Sequence, residues 1–242
     1  MVKQKSKQGQ RHVLFVIIIA LLTAISIFGL SFRVLLLPPI TKVVADNTVN
    51  SNLSELTHAE LVKVAEMGRA YVAGDKGATM PEGDDETTAF PPDVVSHMND
   101  VRNVIHASLV FTIVIVVLLL ATLIFTGIKA GKRTIANGVI GGGVTAVTLA
   151  LLLTVIGFVS FDTLFTRMHE LFFADGSWTF AEDSLLICTY PLAFWIGMAL
   201  VWAFVLAVVC FIVSIIGFAL RRNTRRRSTR RRNTRSELRN VG

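Results

Sequence analysis

The chain of 242 residues is short of charge and nearly free of cysteine. Only 17% of its residues are charged, against about a quarter in an ordinary soluble domain. That shortage argues against one or two water-soluble domains. Two cysteines, Cys188 and Cys210, exclude a disulfide framework and a paired-cysteine zinc motif. Neither has a basic neighbour to activate it, so both read as membrane packing. Acidic residues are also outnumbered, 17 against 24 Lys and Arg, for a net charge of +7. What the chain has in quantity is apolar side chains. They make up 52% of the residues and include 16 Phe, which excludes disorder over most of the length.

A membrane-spanning helix needs about 20 largely apolar residues. Four stretches qualify: 13–37, interrupted only by Arg33; 104–128; 135–160, rich in Gly and Ala; and 185–220. The last is too long for one straight span and contains Pro191, so it divides into a lead-in, 185–191, and a span, 192–220. The first stretch begins like a signal peptide. Its apolar run exceeds the usual core of about 7–15 residues and no small-residue cleavage site follows, so it is expected to be a retained span.

The charges are sorted by segment. Lys3, Lys5, Lys7 and Arg11 precede span one, Lys129, Lys132 and Arg133 join spans two and three, and ten Arg follow span four. These segments hold 17 of the 24 basic residues and one acid, Glu237. The other 16 acids lie in 38–103 and 161–184. Basic short loops stay cytoplasmic, so both termini are expected inside and the two acidic segments outside. The expected organisation is an all-α four-helix transmembrane bundle. It has a basic tail over 1–12, a transmembrane domain over 13–220 with an extracytoplasmic cap from 38–103 and 161–184, and an Arg-rich tail over 221–242. The tail is expected to be disordered and to attract anionic lipid, at roughly 1 kcal/mol per residue, rather than nucleic acid. Gly138, Gly141, Gly142 and Gly143 in span three predict close helix packing.

In the first outward segment, Thr57 and Glu60 fit a capping box. Leu61, Val64, Ala65, Gly68, Tyr71 and Val72 follow helical spacing, and Gly74 suits a helix end. Residues 75–92 read as an irregular acidic loop. Pro91, Pro92 and Asp93 open a helix that continues into span two. In the second, Phe161, Leu164, Phe165, Met168 and Phe172 share one helical face. Span three is therefore expected to extend or bend into the interface, with Trp178 and Phe180 anchored at headgroup level.

Of five histidines, His12 lies in the basic tail and His58 on an exposed turn. His106 lies on the opposite helical face from His97 at 100° per residue and reads as packing. His97 has Asp100 at i+3, close enough to hold the imidazole. His169 lies among Phe165, Met168, Phe172 and Phe173, where desolvation pulls its pKa down. Both sit beyond the same membrane face. Spacing alone leaves open whether they share a site or are unrelated interfacial residues. His97, Asp100, His169 and Asp183 could also supply mixed metal ligands, although the helix of His169 lacks a second His. Ser96 and Ser184 have no nucleophile-elbow sequence around them.

Two blocks carry a resemblance. One is His97-Met98-Asn99-Asp100-Val101 at the entry to span two. The other is Phe165-x-x-x-His169-x-x-Phe172-Phe173, continued by Trp178-x-Phe180, Asp183 and Pro191-x-x-Phe194, with Tyr71-Val72-Ala73-Gly74 as a helix end. With these the chain resembles the bacterial lipoprotein intramolecular transacylases, small four-span membrane proteins. Tyr190, the acidic insert Asp84 to Glu86 and the long Arg tail depart from the family pattern.

The resemblance implies an acyltransferase of the bacterial cytoplasmic membrane with its site on the extracytoplasmic face. It would move an acyl chain from a diacylglyceryl lipoprotein to the amine of that lipoprotein's N-terminal cysteine, giving a lyso-form product. His97 and His169 are the implied catalytic pair. His169 suits the acid–base role and His97, oriented by Asp100, the oxyanion. Asp183 is a supporting residue, and Trp178, Phe172 and Phe180 would wall the acyl chain or anchor the segment. No cofactor is implied, and the partners are the lipoprotein and membrane lipid. Two rival functions are a metal-dependent membrane hydrolase and a non-catalytic sensor or scaffold.

Overall fold

The computed structural model describes residues 2–80 and 90–240, with side chains over 9–80 and 90–222. Among these residues there are seven helices and no strand. They are α1 Val2–Leu35, α2 Pro38–Ala45, α3 His58–Ala73, α4 Pro92–Lys129, α5 Lys132–Phe172, α6 Leu185–Thr189 and α7 Leu192–Asn240. Four segments are long and apolar enough to cross a membrane: Gly9–Leu35, Pro92–Lys129, Lys132–Phe172 and Leu192–Arg222. They match the four stretches read from the sequence.

Two of these helices are longer than a bilayer requires. α4 has 38 residues, about 57 Å at 1.5 Å per residue, against a hydrocarbon core of about 30 Å. Its apolar run, 104–128, is by itself long enough for that core, and Pro92 and His97 precede it. α5 has 41 residues and is broken at Ser160, where φ is −157° and ψ is 68°. Ser160 Oγ donates to Thr163 Oγ1 at 2.7 Å. Thus span three bends at the end of its apolar run, and residues 161–172 form a separate helical arm carrying His169.

The local signals explain the smaller helices. Thr57 Oγ1 accepts from the Glu60 amide at 3.4 Å, and Glu60 Oε2 accepts from the Thr57 amide at 2.8 Å, closing the capping box of α3. Gly74 ends α3 with φ +78°, and His106 lies over it. α2 was absent from the expectation. It opens on Pro38 and Pro39, and Pro fits the first turn of a helix. The Arg-rich segment also departs from expectation: α7 continues through it to Asn240, as Arg is a good helix former. The acidic insert Asp84 to Glu86 lies outside the described residues.

The chain divides into two compact units. Unit one comprises residues 1–28, 112–150 and 206–242. Here the glycine stripe of α5 meets α1. A Cβ on Gly138 would stand 2.6 Å from Ile19 Cβ, and one on Gly142 would stand 2.5 Å from Thr23 Cβ. On other faces, Gly143 meets Ser214 of α7 and Gly217 of α7 meets Ile140. The small residues thus serve packing within the chain.

Unit two comprises residues 29–111 and 151–205. Its core gathers Val44 and Ala45 of α2, Leu61, Ala65 and Tyr71 of α3, Val94, Met98 and Ile105 of α4, and Leu186, Cys188, Tyr190 and Phe194 from the α6–α7 region. Tyr190 donates to the Ala65 carbonyl at 2.8 Å, and Gly68 is small because a Cβ there would overlap the Tyr190 hydroxyl. Buried Arg69 is held by Glu66 at 2.7 Å, Asp75 at 2.6 Å and the Leu36 carbonyl at 3.1 Å. Arg33 donates to the Ile105 carbonyl at 2.7 Å and to Ser108 Oγ at 2.9 Å. The N-terminal part of α4, which carries His97, is therefore fixed on several sides.

Candidate active site

His97 and His169 meet inside unit two. Their ring centroids are 6.3 Å apart, the rings are inclined by 24°, and each residue is only 7% exposed. Two positions 72 residues apart in sequence thus face one another. On α4, Val94 and Met98 anchor the helix in the core and present His97 beside them.

The second histidine is fixed by its own helix. His169 Nδ1 lies 2.8 Å from the Phe165 carbonyl. That oxygen can only accept, so Nδ1 carries the proton of the neutral ring and Nε2 keeps a lone pair. His97 Nδ1, also buried, has no hydrogen-bond partner among the described residues.

An aromatic shell surrounds the pair. Phe165 lies 4.0 Å from His169, Trp178 4.9 Å and Phe173 5.4 Å, centroid to centroid. Phe173 also lies 5.0 Å from His97, and Phe180 lies 5.6 Å from it. Trp195 packs on Phe165 at 5.8 Å. In this setting the charged imidazolium loses hydration that nothing replaces. Burial pulls both histidines below the ordinary value; the neighbouring His169 lowers His97 further, while the charge of Asp100 partly opposes it. For His169 the bond to Phe165 partly opposes the shift. Both rings are thereby favoured as neutral groups near pH 7.

The other expected residues divide. Trp178 and Phe180 stand in the shell. Phe172 is 51% exposed and has no ring contact with either histidine among the described residues. Phe173 takes that place. The signal was in the sequence: Phe165, His169 and Phe173 recur at i, i+4 and i+8, one helical face. Asp100 is exposed and acts on His97 through its charge; Nδ1 of His97 donates no bond to it. Asp183 is exposed, and its charge bears on Cys188, not on the histidines. Among the described residues no three His, Cys, Asp or Glu side chains gather as metal ligands, so the mixed set is not assembled. Ser184 caps α6, accepting from the Ile187 amide, and Ser96 is exposed.

Residues 12–195 match the family model for the lipoprotein intramolecular transacylase Lit. The chain belongs to this family. It is therefore a membrane-integral acyltransferase of lipoprotein modification. The Lit fold is also seen in solved structures. The chain is similar to the membrane-integral Lit of Bacillus cereus with a TM-score of 0.68 and 17% identity, covering 90% of this chain and 99% of that one. A histidine-to-arginine variant of the same protein gives 0.66 and 15%, covering 92% and 97%. No curated protein matches at the sequence level.

Proposed function

We propose that the protein moves one acyl chain from the diacylglyceryl group of a lipoprotein to the amine of its N-terminal cysteine, leaving a lyso-form lipoprotein. The observation that carries this is the buried histidine pair 6.3 Å apart, with His169 Nδ1 bonded to the Phe165 carbonyl and Nε2 left as a base. The amine attacks the ester carbonyl, an N–C bond forms, and His169 Nε2 takes the nitrogen's proton. The carbonyl electrons become an oxyanion, to which His97 donates its N–H. Collapse breaks the ester C–O bond, and His169 returns the proton to the departing glycerol oxygen. Atoms and charge balance with no further reactant. The nucleophile and the ester belong to one molecule, so holding them together removes a large part of the barrier.

The partition of charge supports placing the site on the extracytoplasmic face of the bacterial cytoplasmic membrane, with both termini inside. There it would meet diacylglyceryl lipoproteins of the outer leaflet. Mass spectrometry of lipoprotein N-termini, from cells producing the wild type, His97→Ala or His169→Ala, tests the reading. Lyso-form product is expected from the wild type alone. Unchanged product from both variants, present at normal levels in the membrane, overturns it.

A further inference from the structure

The chain has three tryptophans, and an indole N–H can only donate. Trp195 Nε1 donates to the Tyr190 carbonyl at 3.1 Å, and Trp202 Nε1 donates to Ser31 Oγ at 3.0 Å. Trp178 differs. Its Nε1 is buried and has no partner among the described residues. A buried indole N–H usually finds a partner, and one left unpaired calls for a reason. The position of Trp178 supplies one. Its ring lies 4.9 Å from that of His169, inclined by 33°, on the same aromatic shell that holds His97.

The chain takes trouble to bring it there. Just beyond α5, the Ser177 amide donates to the Ala174 carbonyl at 3.1 Å and Ser177 Oγ donates to the same oxygen at 2.8 Å. Gly176 within this turn has φ +78°, a conformation that side chains disfavour. The chain reverses and returns Trp178 onto the histidine it has just passed. An apolar wall would need the ring but not a buried N–H.

We infer that Trp178 is a catalytic residue whose Nε1–H donates to the oxyanion formed as the amine attacks the ester, beside the N–H of His97. This rests on the acyl-transfer reading above. The donor takes part in no bond exchange: it holds the carbonyl oxygen while the N–C bond forms and the C–O bond breaks, and His169 alone moves the proton. Gly176 is a positioning residue for it.

The test uses purified full-length protein in lipid and a synthetic diacylglyceryl lipopeptide with a free N-terminal amine. Trp178→Phe keeps an aromatic ring and removes the donor. Replacement of Trp178 by benzothienylalanine, whose sulfur stands where the N–H was, keeps the shape as well. Each is expected to lower kcat by about 10²–10³-fold with KM nearly unchanged. Full kcat in either variant, or a loss confined to KM, overturns the inference and leaves Trp178 as a wall. If Trp178→Phe is unstable, the benzothienyl variant decides. A wild type that forms no lyso product fails the function itself. A wild type and variants that are equally active fail only the role of Trp178.

Discussion

Replacing His169 with Phe separates the chemistry of the ring from its packing. Phenylalanine fills nearly the same space between Phe165, Phe173 and Trp178, which lie 4.0, 5.4 and 4.9 Å away. The fold loses one side-chain hydrogen bond to the Phe165 carbonyl, about 1 kcal/mol. The reaction loses its proton carrier, about 10²–10⁴-fold, or about 2.7–5.4 kcal/mol at 1.36 kcal/mol per factor of ten. Activity should therefore fall much further than stability. The rate is read as lyso-lipopeptide formed per minute, and stability as the thermal midpoint in the same lipid. His97→Phe combined with His169→Phe should be little worse than His169→Phe alone, because groups acting as one unit are non-additive. A His169→Phe enzyme retaining more than a tenth of the wild-type rate would refute the acid–base role.

Three further outcomes follow from the geometry. The folded state holds both histidines below their ordinary pKa, so the unfolded chain binds more protons as pH falls through about 6.5. Stability should decline on acidification below about pH 6.5, and the two-histidine Phe variant should lose that slope; an unchanged slope in the variant would contradict this. Gly142→Ala, whose Cβ would meet Thr23 at 2.5 Å, should cost about 1–3 kcal/mol, whereas Gly141→Ala, with 3.4 Å to Ala20, should leave the thermal midpoint nearly unchanged. Phe173→Ala should slow acyl transfer by about 10²-fold through loss of histidine placement, while Phe172→Ala should stay near the wild type; equal rates would place neither ring at the site.

The membrane frame was legible because its physics is one-dimensional. Twenty apolar residues in a row identify a span without knowledge of neighbours, and α1, α4, α5 and α7 each contain one. Helix termini governed by local bonds were legible for the same reason: Thr57, Glu60 and Gly74 act within one turn of each other. The site was harder to read. That His97 and His169 face one another depends on the break at Ser160 and on core contacts from α3, α6 and α7, which no spacing encodes. Phe172 and Phe173 adjoin in sequence and both lie near His169 on spacing; only the placed rings distinguish them, Phe173 standing against both histidines and Phe172 against neither. Asp100 stands at i+3 from His97, close enough on spacing to hold the imidazole, yet a side chain there can also turn to solvent, and it does. Trp178 was recognisable as an interfacial aromatic, yet only the bonds made by the other two indoles reveal that its own donor is unspent.

The bond from His169 to residue 165 ends on a main-chain oxygen. Every amino acid offers that oxygen, so the direction of the histidine's lone pair does not depend on which side chain stands at position 165. Substitutions there can reshape the aromatic shell while the proton stays on the same nitrogen. The packing of the shell and the polarity of the base are thus free to vary independently, and only a change that distorts the helical turn between residues 165 and 169 couples them.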